Sequence, residues 1–329
     1  MKLGIIGYRN HALRLRSIIE KKPNCRIDFI YHPTKKIDDN RSTNNFSDLL
    51  DCDAIFISSP NATHFSYIRR LRNFKGYIFC EKPPATSRNQ LNYIEKLPLE
   101  KKRKLFFNFN YRFSKISKNL ESQLNSTKIG KIIQINIITT QGLAFKKIYS
   151  NSWRADGRKN LHNLLDTVAI HFLDMVALYL GAHDKINYLA DNFSGNGSSY
   201  DTSHLLIKFK KGPIVSIFNS YASSYINEIM VVGTNGYFAC RDDKLIIRSP
   251  RNTFNSEGLF ISPPIKNKKK FSMQEDYNNS LRNSIDYFLH FVRNKDKIPI
   301  NLFQTSISTN RIIINLKNKK SQKLVNSQS

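Results

Sequence analysis

Acidic residues are scarce in this chain: 25 Asp and Glu face 52 Lys and Arg among 329 residues, a formal net charge of +27. Such a field draws anionic ligands, although scattered lysines alongside abundant Asn and Ile also fit a plain compositional bias. Long apolar runs are missing too. The best stretch, residues 172–182, is short and contains Asp174, far from the roughly 20 apolar residues of a membrane helix. The start is not expected to act as a signal peptide, because residues 2–7 already read as a buried strand entering a turn. Cysteine is sparse. Cys25, Cys52, Cys80 and Cys240 form no C-x-x-C pair, so neither a disulfide framework nor a metal site is expected, and reduced, buried thiols fit a cytoplasmic home.

What is present argues for real cores. The apolar fraction of 40%, with 22 Phe and 15 Tyr, excludes wholesale disorder. The length suggests about two domains. Short apolar runs at residues 3–6, 26–31, 54–57, 77–80 and 105–109 alternate with helical patterns near 12–21, 64–72 and 89–95. That rhythm predicts an α/β Rossmann-type, doubly wound parallel sheet. Beyond Arg112 the pattern changes. An apolar helix is expected at about 161–180. Successive strands follow at 185–189, 205–209, 214–218, 228–232, 236–239 and 244–247, after an earlier one at 132–139. Runs of strands predict an α+β domain with a largely antiparallel open sheet. Residues 252–271 read as a long loop, and helices at 274–293 and 302–316 close the domain. The expected division is 1–113 for the first domain, 114–316 for the second, and a basic, frayed tail over 317–329.

Polar clusters end the parallel strands, the edge at which open α/β sheets bind ligands. After the first strand comes Gly7-Tyr8-Arg9-Asn10-His11-Ala12, a degraded G-x-G-x-x-G in which Arg9 replaces the second glycine. Amides at the following helix N-terminus suit a pyrophosphate, and the Arg9 guanidinium could bind one as well. Ser58-Ser59-Pro60-Asn61-Ala62-Thr63-His64, Glu81-Lys82-Pro83-Pro84 and Asn108-Phe109-Asn110-Tyr111-Arg112 end the later strands. At the second strand end, Tyr31-His32-Pro33-Thr34-Lys35-Lys36 lacks the acid that would hold a ribose diol. Thr34, Lys35 and Lys36 suit a 2′-phosphate instead, which favours NADP over NAD.

In this order the clusters resemble the glucose-fructose oxidoreductase / inositol dehydrogenase / rhizopine catabolism (Gfo/Idh/MocA) family. Residues 128–132, Ser152-Trp153-Arg154 and the segment Leu165-Asp166-Thr167-Val168-Ala169-Ile170-His171 extend the likeness. The resemblance implies hydride transfer between NADP or NAD and a sugar, cyclitol or nucleotide sugar, in a homo-dimer or tetramer. It implies that Lys82 lies beside the nicotinamide ribose as a base, its pKa lowered by burial and the charged ring. It further implies that His171 acts on the same hydroxyl. Gly7, Tyr8, Arg9, Asn10, His32, Thr34, Lys35, Ser58, Ser59, Pro60, Asn61, His64, Glu81 and Lys82 would border the cofactor. Asn110, Tyr111, Trp153, Arg154 and His171 would meet the substrate.

One departure stands out. The family helix carries an acid four residues before its histidine, on the same face. Here that place holds Thr167, and Asp166 lies five before His171, about 140° away on a regular helix. Either a local bulge restores Asp166, or Thr167 substitutes, or the relay is absent. His162, four before Asp166, could form an alternative dyad or a surface pair. A family member that binds dinucleotide or sugar without turnover, as regulator or scaffold, is the alternative reading. The charge alone would suggest nucleic acid, but no recognition motif accompanies it.

Overall fold

The computed structural model describes residues 1–35, 37–210 and 212–318, so Lys36, Lys211 and residues 319–329 lie outside the described residues. Two units emerge. One comprises Met1–Asn110 with Leu281–Ile314, the other Tyr111–Ser280 with the chain from Asn315.

The first unit holds a six-stranded parallel sheet of β1 (Lys2–Ile6), β2 (Arg26–Tyr31), β3 (Ser42–Thr43), β4 (Ala54–Ile57), β5 (Tyr77–Glu81) and β6 (Leu105–Asn108). Their spatial order is β3-β2-β1-β4-β5-β6. β4 and β5 are buried at every position, as expected of strands covered on both faces. The helices Asn10–Ile19, His64–Arg70 and Arg88–Glu95 alternate with them. The two C-terminal helices, Met273–Asn294 and Ile300–Asn318, give most of their length to this unit. Phe288 sits 5.4 Å from both Phe56 and Phe79, ring centre to ring centre, and Phe303 lies 5.9 Å from Phe107. The expected boundaries at 113 and 316 are therefore displaced, because the apolar faces of these helices complete the first core rather than the second.

The second unit is built on an eight-stranded sheet: β7 (Ile132–Thr140), β8 (His183–Asp191), β9 (Thr202–Phe209), β10 (Ile214–Ser220), β11 (Ile226–Gly233), β12 (Gly236–Arg241), β13 (Lys244–Arg248) and β14 (Ile265–Lys270). The order is β14-β13-β12-β11-β7-β10-β9-β8. Only the β7–β10 pair is parallel among the described pairings. Alternate residues Leu205, Ile207, Val215, Ile217, Ile135 and Ile137 are buried on one face, while Leu206, Ile214 and Met230 are exposed on the other. The helix Ile170–Leu180 is buried from Ile170 through Ala177, which marks a core helix.

Three expectations need correction. The loop over 252–271 contains β14, hidden in the sequence by its lysines; an exposed, charged strand at a sheet edge resists further pairing. The tail was expected from 317, yet the last helix runs to Asn318. All four cysteines are free, but Cys25 is only half-buried. No described helix is long and apolar enough to cross a membrane.

Candidate active site

In the first unit, the carboxyl ends of β1, β2, β4, β5 and β6 bring the expected residues to one sheet edge. Gly7 takes φ +113°, and a Cβ there would meet the Ser58 carbonyl oxygen at 2.5 Å. Glycine is thus required where the first turn crosses the end of β4. Arg9 sits at the N-cap of Asn10–Ile19 without a side-chain cap, and that helix has no acid in its first turn. Its leading amides and positive dipole end suit an anion. Ala12, where a third glycine would stand, is fully buried.

The loop after β2 is organised by His32. Its Nδ1 accepts the backbone N–H groups of Thr34 at 3.2 Å and Lys35 at 2.8 Å, and its ring meets Tyr8 edge-on at 5.1 Å. Burial first, then the charges of Lys35 and Arg9, hold the His32 pKa below its usual value. Beside this loop, Tyr31, Pro33, Ser66, Tyr67, Arg69, Arg70 and Arg72 line a cavity of about 440 Å³. Arg70 lies over the Phe46 ring at 3.7 Å.

After β4, the Ser59 and Thr63 hydroxyls are 2.6 Å apart, and Pro60 and Asn61 lead into the helix. Ser58 Oγ is buried with no hydrogen-bond partner. His64 is fully buried, with Nδ1 2.9 Å from the Pro83 carbonyl and Nε2 2.9 Å from that of Ser59. It ties the β4 loop to the segment holding half-buried Lys82. Glu81 is buried against the His11 ring at 2.8 Å and accepts a hydrogen bond from Asn108 at 2.6 Å. Burial pushes its carboxyl pKa up, but His11, Asn108 and the Lys82 charge outweigh that, leaving it below the ordinary value. The glycine crossing, the uncapped amides, the orphaned Ser58 hydroxyl and the cationic β2 loop together fit a dinucleotide.

In the second unit, the chain widens before His171. Leu165–Ala169 is a π-helical turn, and the Ile170 N–H bonds the Leu165 carbonyl five residues back. An i to i+5 turn shifts the residues ahead of His171 away from regular helical spacing, so the local bulge is present. Asp166 is 4% exposed; its Oδ2 accepts from Asn160 Nδ2 at 2.7 Å and Lys317 Nζ at 2.6 Å. Thr167 donates to the Asn163 carbonyl at 2.8 Å and meets the Tyr221 hydroxyl at 3.0 Å. The alternative dyad does not form: His162 is buried and bonds the Tyr188 hydroxyl at 2.9 Å.

The Tyr111 ring is 5.4 Å from that of His171, and burial raises its phenol pKa. Arg112 makes two contacts of 2.6 Å to the two carboxylate oxygens of Asp174, both side chains almost wholly buried. Asn110 is buried at the end of the first segment of the other unit. Trp153 is 42% exposed with the Arg154 guanidinium 4.6 Å from its ring centre. The sequence reading missed His11, Asn160 and Lys317 altogether. Their partners lie between 6 and 151 residues away, beyond any local motif. The arginines at 69, 70 and 72 were a visible signal for the cavity.

Comparison with known proteins agrees with this geometry. Residues 1–109 match the model of an oxidoreductase family with an NAD-binding Rossmann fold, and 118–239 match the GFO/IDH/MocA C-terminal domain. The uncharacterized oxidoreductase YrbE of Bacillus subtilis is 26% identical over 269 residues, 78% of this chain and 74% of its own length. The inositol 2-dehydrogenase of Rhizobium meliloti is 25% identical over 201 residues, 59% of this chain and 58% of its own length. An oxidoreductase from Agrobacterium radiobacter, solved with NAD+, L-tartaric acid and magnesium, superposes with a TM-score of 0.76 at 15% identity. That match covers 95% of this chain and 94% of the other. By both its domains, the chain belongs to the Gfo/Idh/MocA oxidoreductase family.

Proposed function

We propose that the protein is an NAD(P)-dependent dehydrogenase or reductase acting on a CH–OH group of a sugar, cyclitol or nucleotide sugar. The observation that carries this reading is the π-helical turn at Leu165–Ala169, a distortion of the helix at the segment that carries Asp166 and immediately precedes His171. A structural helix has no need of that distortion, and such turns gather at functional sites.

Gly7, Tyr8, Arg9 and Asn10 would hold the pyrophosphate, while His32, Thr34 and Lys35 take the adenosine ribose. Ser58, Ser59, Pro60, Asn61, His64 and Glu81 frame the rest of the dinucleotide. A nicotinamide ring, when bound, supplies the hydride acceptor or donor. The chain's own part is proton transfer, by Lys82 and by His171, with Asp166 orienting the imidazole. Asn110, Tyr111, Trp153 and Arg154 select the substrate. NADP is the preferred cofactor in this reading.

Arg9 in place of a glycine favours one other reading, a member that binds dinucleotide or sugar without turnover. Lys82→Met and His171→Ala decide between them. Each should lower turnover of myo-inositol or a sugar by about 10²-fold or more, as expected for a lost acid–base group, with dinucleotide affinity kept within about tenfold. Full turnover in either variant rejects its assigned role, and no turnover by the unaltered protein on a broad polyol and nucleotide-sugar panel favours the second reading.

A homo-dimer or tetramer belongs to the same proposal, formed through the sheet face that exposes Leu206, Ile214 and Met230. Sedimentation at physiological salt should show it; a monomer across micromolar concentrations removes this part. Cytoplasmic residence is included on the strength of the four free cysteines.

A further inference from the structure

The Asp166 carboxylate is not left to the π-helical turn alone. Lys317, in the last turn of the C-terminal helix Ile300–Asn318, reaches back 151 residues to place Nζ 2.6 Å from Asp166 Oδ2. The side chains are 22% and 5% exposed. Asn160 Nδ2 approaches the same oxygen at 2.7 Å, so the carboxylate is gripped from two separate segments. A pair this sheltered loses much of its attraction to desolvation, and replacing such pairs by apolar residues is often neutral or stabilising. Stability alone therefore gives little reason for it. Its position gives a better one, because the gripped acid lies within the π-helical turn Leu165–Ala169, five residues before His171.

We infer that Lys317 is a positioning residue: it fixes the Asp166 carboxylate against His171 and makes the end of the C-terminal helix part of the catalytic apparatus. The inference rests on the reading of His171 as a proton-transfer group. It deepens that reading by adding a residue that touches no substrate. The charges facing Asp166 include Lys317 and, when protonated, His162, which is packed between the Tyr188 and Tyr200 rings. His162 feels both partners: burial and the Lys317 charge lower its pKa, while Asp166 opposes them.

The test compares Lys317→Met, Lys317→Arg and Asp166→Asn with the unaltered full chain, labelled with 15N-histidine and with His171→Gln used for assignment. Removing a cation beside an ionised Asp166 should raise the His171 pKa by about half a unit or more. Lys317→Arg should return it toward the starting value, and His290, on another helix, should not move. Where myo-inositol or a sugar is turned over, Lys317→Met should lower kcat about tenfold, shift its pH profile and leave the KM for the dinucleotide unchanged. An unmoved His171 titration in a folded Lys317→Met protein overturns the inference, even if its melting temperature falls. Inactivity of the unaltered protein would count against the enzymatic reading instead, while the titration still decides whether Lys317 governs His171.

Discussion

His11 Nε2 stands 2.8 Å from Glu81 Oε1, joining the first turn after β1 to the end of β5. The chain of contacts continues through Asn108, whose Nδ2 donates to the same oxygen at 2.6 Å and whose Oδ1 accepts from Ser284 at 2.9 Å. The turn after β1 and the Glu81-Lys82-Pro83 segment are thus linked through one set of polar contacts, buried at Glu81 and Asn108 and partly exposed at His11.

His11→Ala should strip the Glu81 carboxylate of one partner, which costs about 1–3 kcal/mol for a buried group. It should weaken dinucleotide binding as the loop loosens. Glu81→Gln should cost less, since an amide oxygen still accepts from Asn108. The folded Glu81 pKa lies below its usual value, so its stabilising share is full above about pH 4.5 and fades as pH falls through the folded value. Urea midpoints measured from pH 7 to 3 should show a shallower acid limb in Glu81→Gln than in the unaltered protein. An unchanged midpoint and affinity in His11→Ala would remove the network from the cofactor site.

Histidine burial sets the behaviour at higher pH. Desolvation lowers the His64 pKa, with the Pro83 and Ser59 carbonyls opposing only in part. Below about pH 6.5 the unfolded chain binds a proton there that the folded chain declines, so stability drops as pH falls through that range and is flat above it. His162 and His204 are lowered by burial as well and act in the same direction. The urea midpoint should accordingly be lower at pH 5.5 than at 7.5, and His64→Gln should narrow the gap. A midpoint as high at pH 5.5 as at 7.5 would contradict this.

Asp166 and Thr167 should separate cleanly on mutation. Asp166→Asn keeps the shape but loses the charge, so turnover should fall while the fold survives. Thr167→Val gives up hydrogen bonds to the Asn163 carbonyl and Tyr221. It should cost about 1 kcal/mol of stability and leave turnover within a few-fold. The reverse pattern, measured by steady-state kinetics and urea unfolding, would make Thr167 the working group.

The two sheets were legible because their chemistry is local. Continuous apolar runs of strand length such as residues 54–57 fit buried strands, and alternation over 205–209 implies one covered face. β14 was not legible, since a strand carrying Lys268, Lys269 and Lys270 has no apolar face to betray it. The fate of the C-terminal helices was hidden for another reason: an apolar stripe does not say which sheet it will cover. Helix geometry of 3.6 residues per turn sets Asp166 off the face of His171, and only a bulge could alter that; nothing in the local pattern announces the π-helical turn found there. Arg112 was visible at the end of its strand, but its partner Asp174 is 62 residues on. Pairing at that range is decided by the fold.

Cofactor choice turns on the loop after β2. His32 accepts the Thr34 and Lys35 amides and so fixes that loop before any ligand arrives. The charges of Lys35 and Arg9 both reach His32, which gathers two cations where a ribose 2′ group would lie. A 2′-phosphate carries close to two negative charges, and each charge-assisted hydrogen bond offers about 1.5–3 kcal/mol before screening. Both cations are solvent-exposed, so the realised gain should be smaller and should shrink as salt rises. NADP(H) should therefore bind more tightly than NAD(H) at low ionic strength, with Arg9→Ala plus Lys35→Ala narrowing the difference. Competitive titrations at two salt concentrations check it. Equal affinities at low salt would mean that the basic loop is compositional drift, and tighter NAD(H) binding would mean that another group holds the ribose diol.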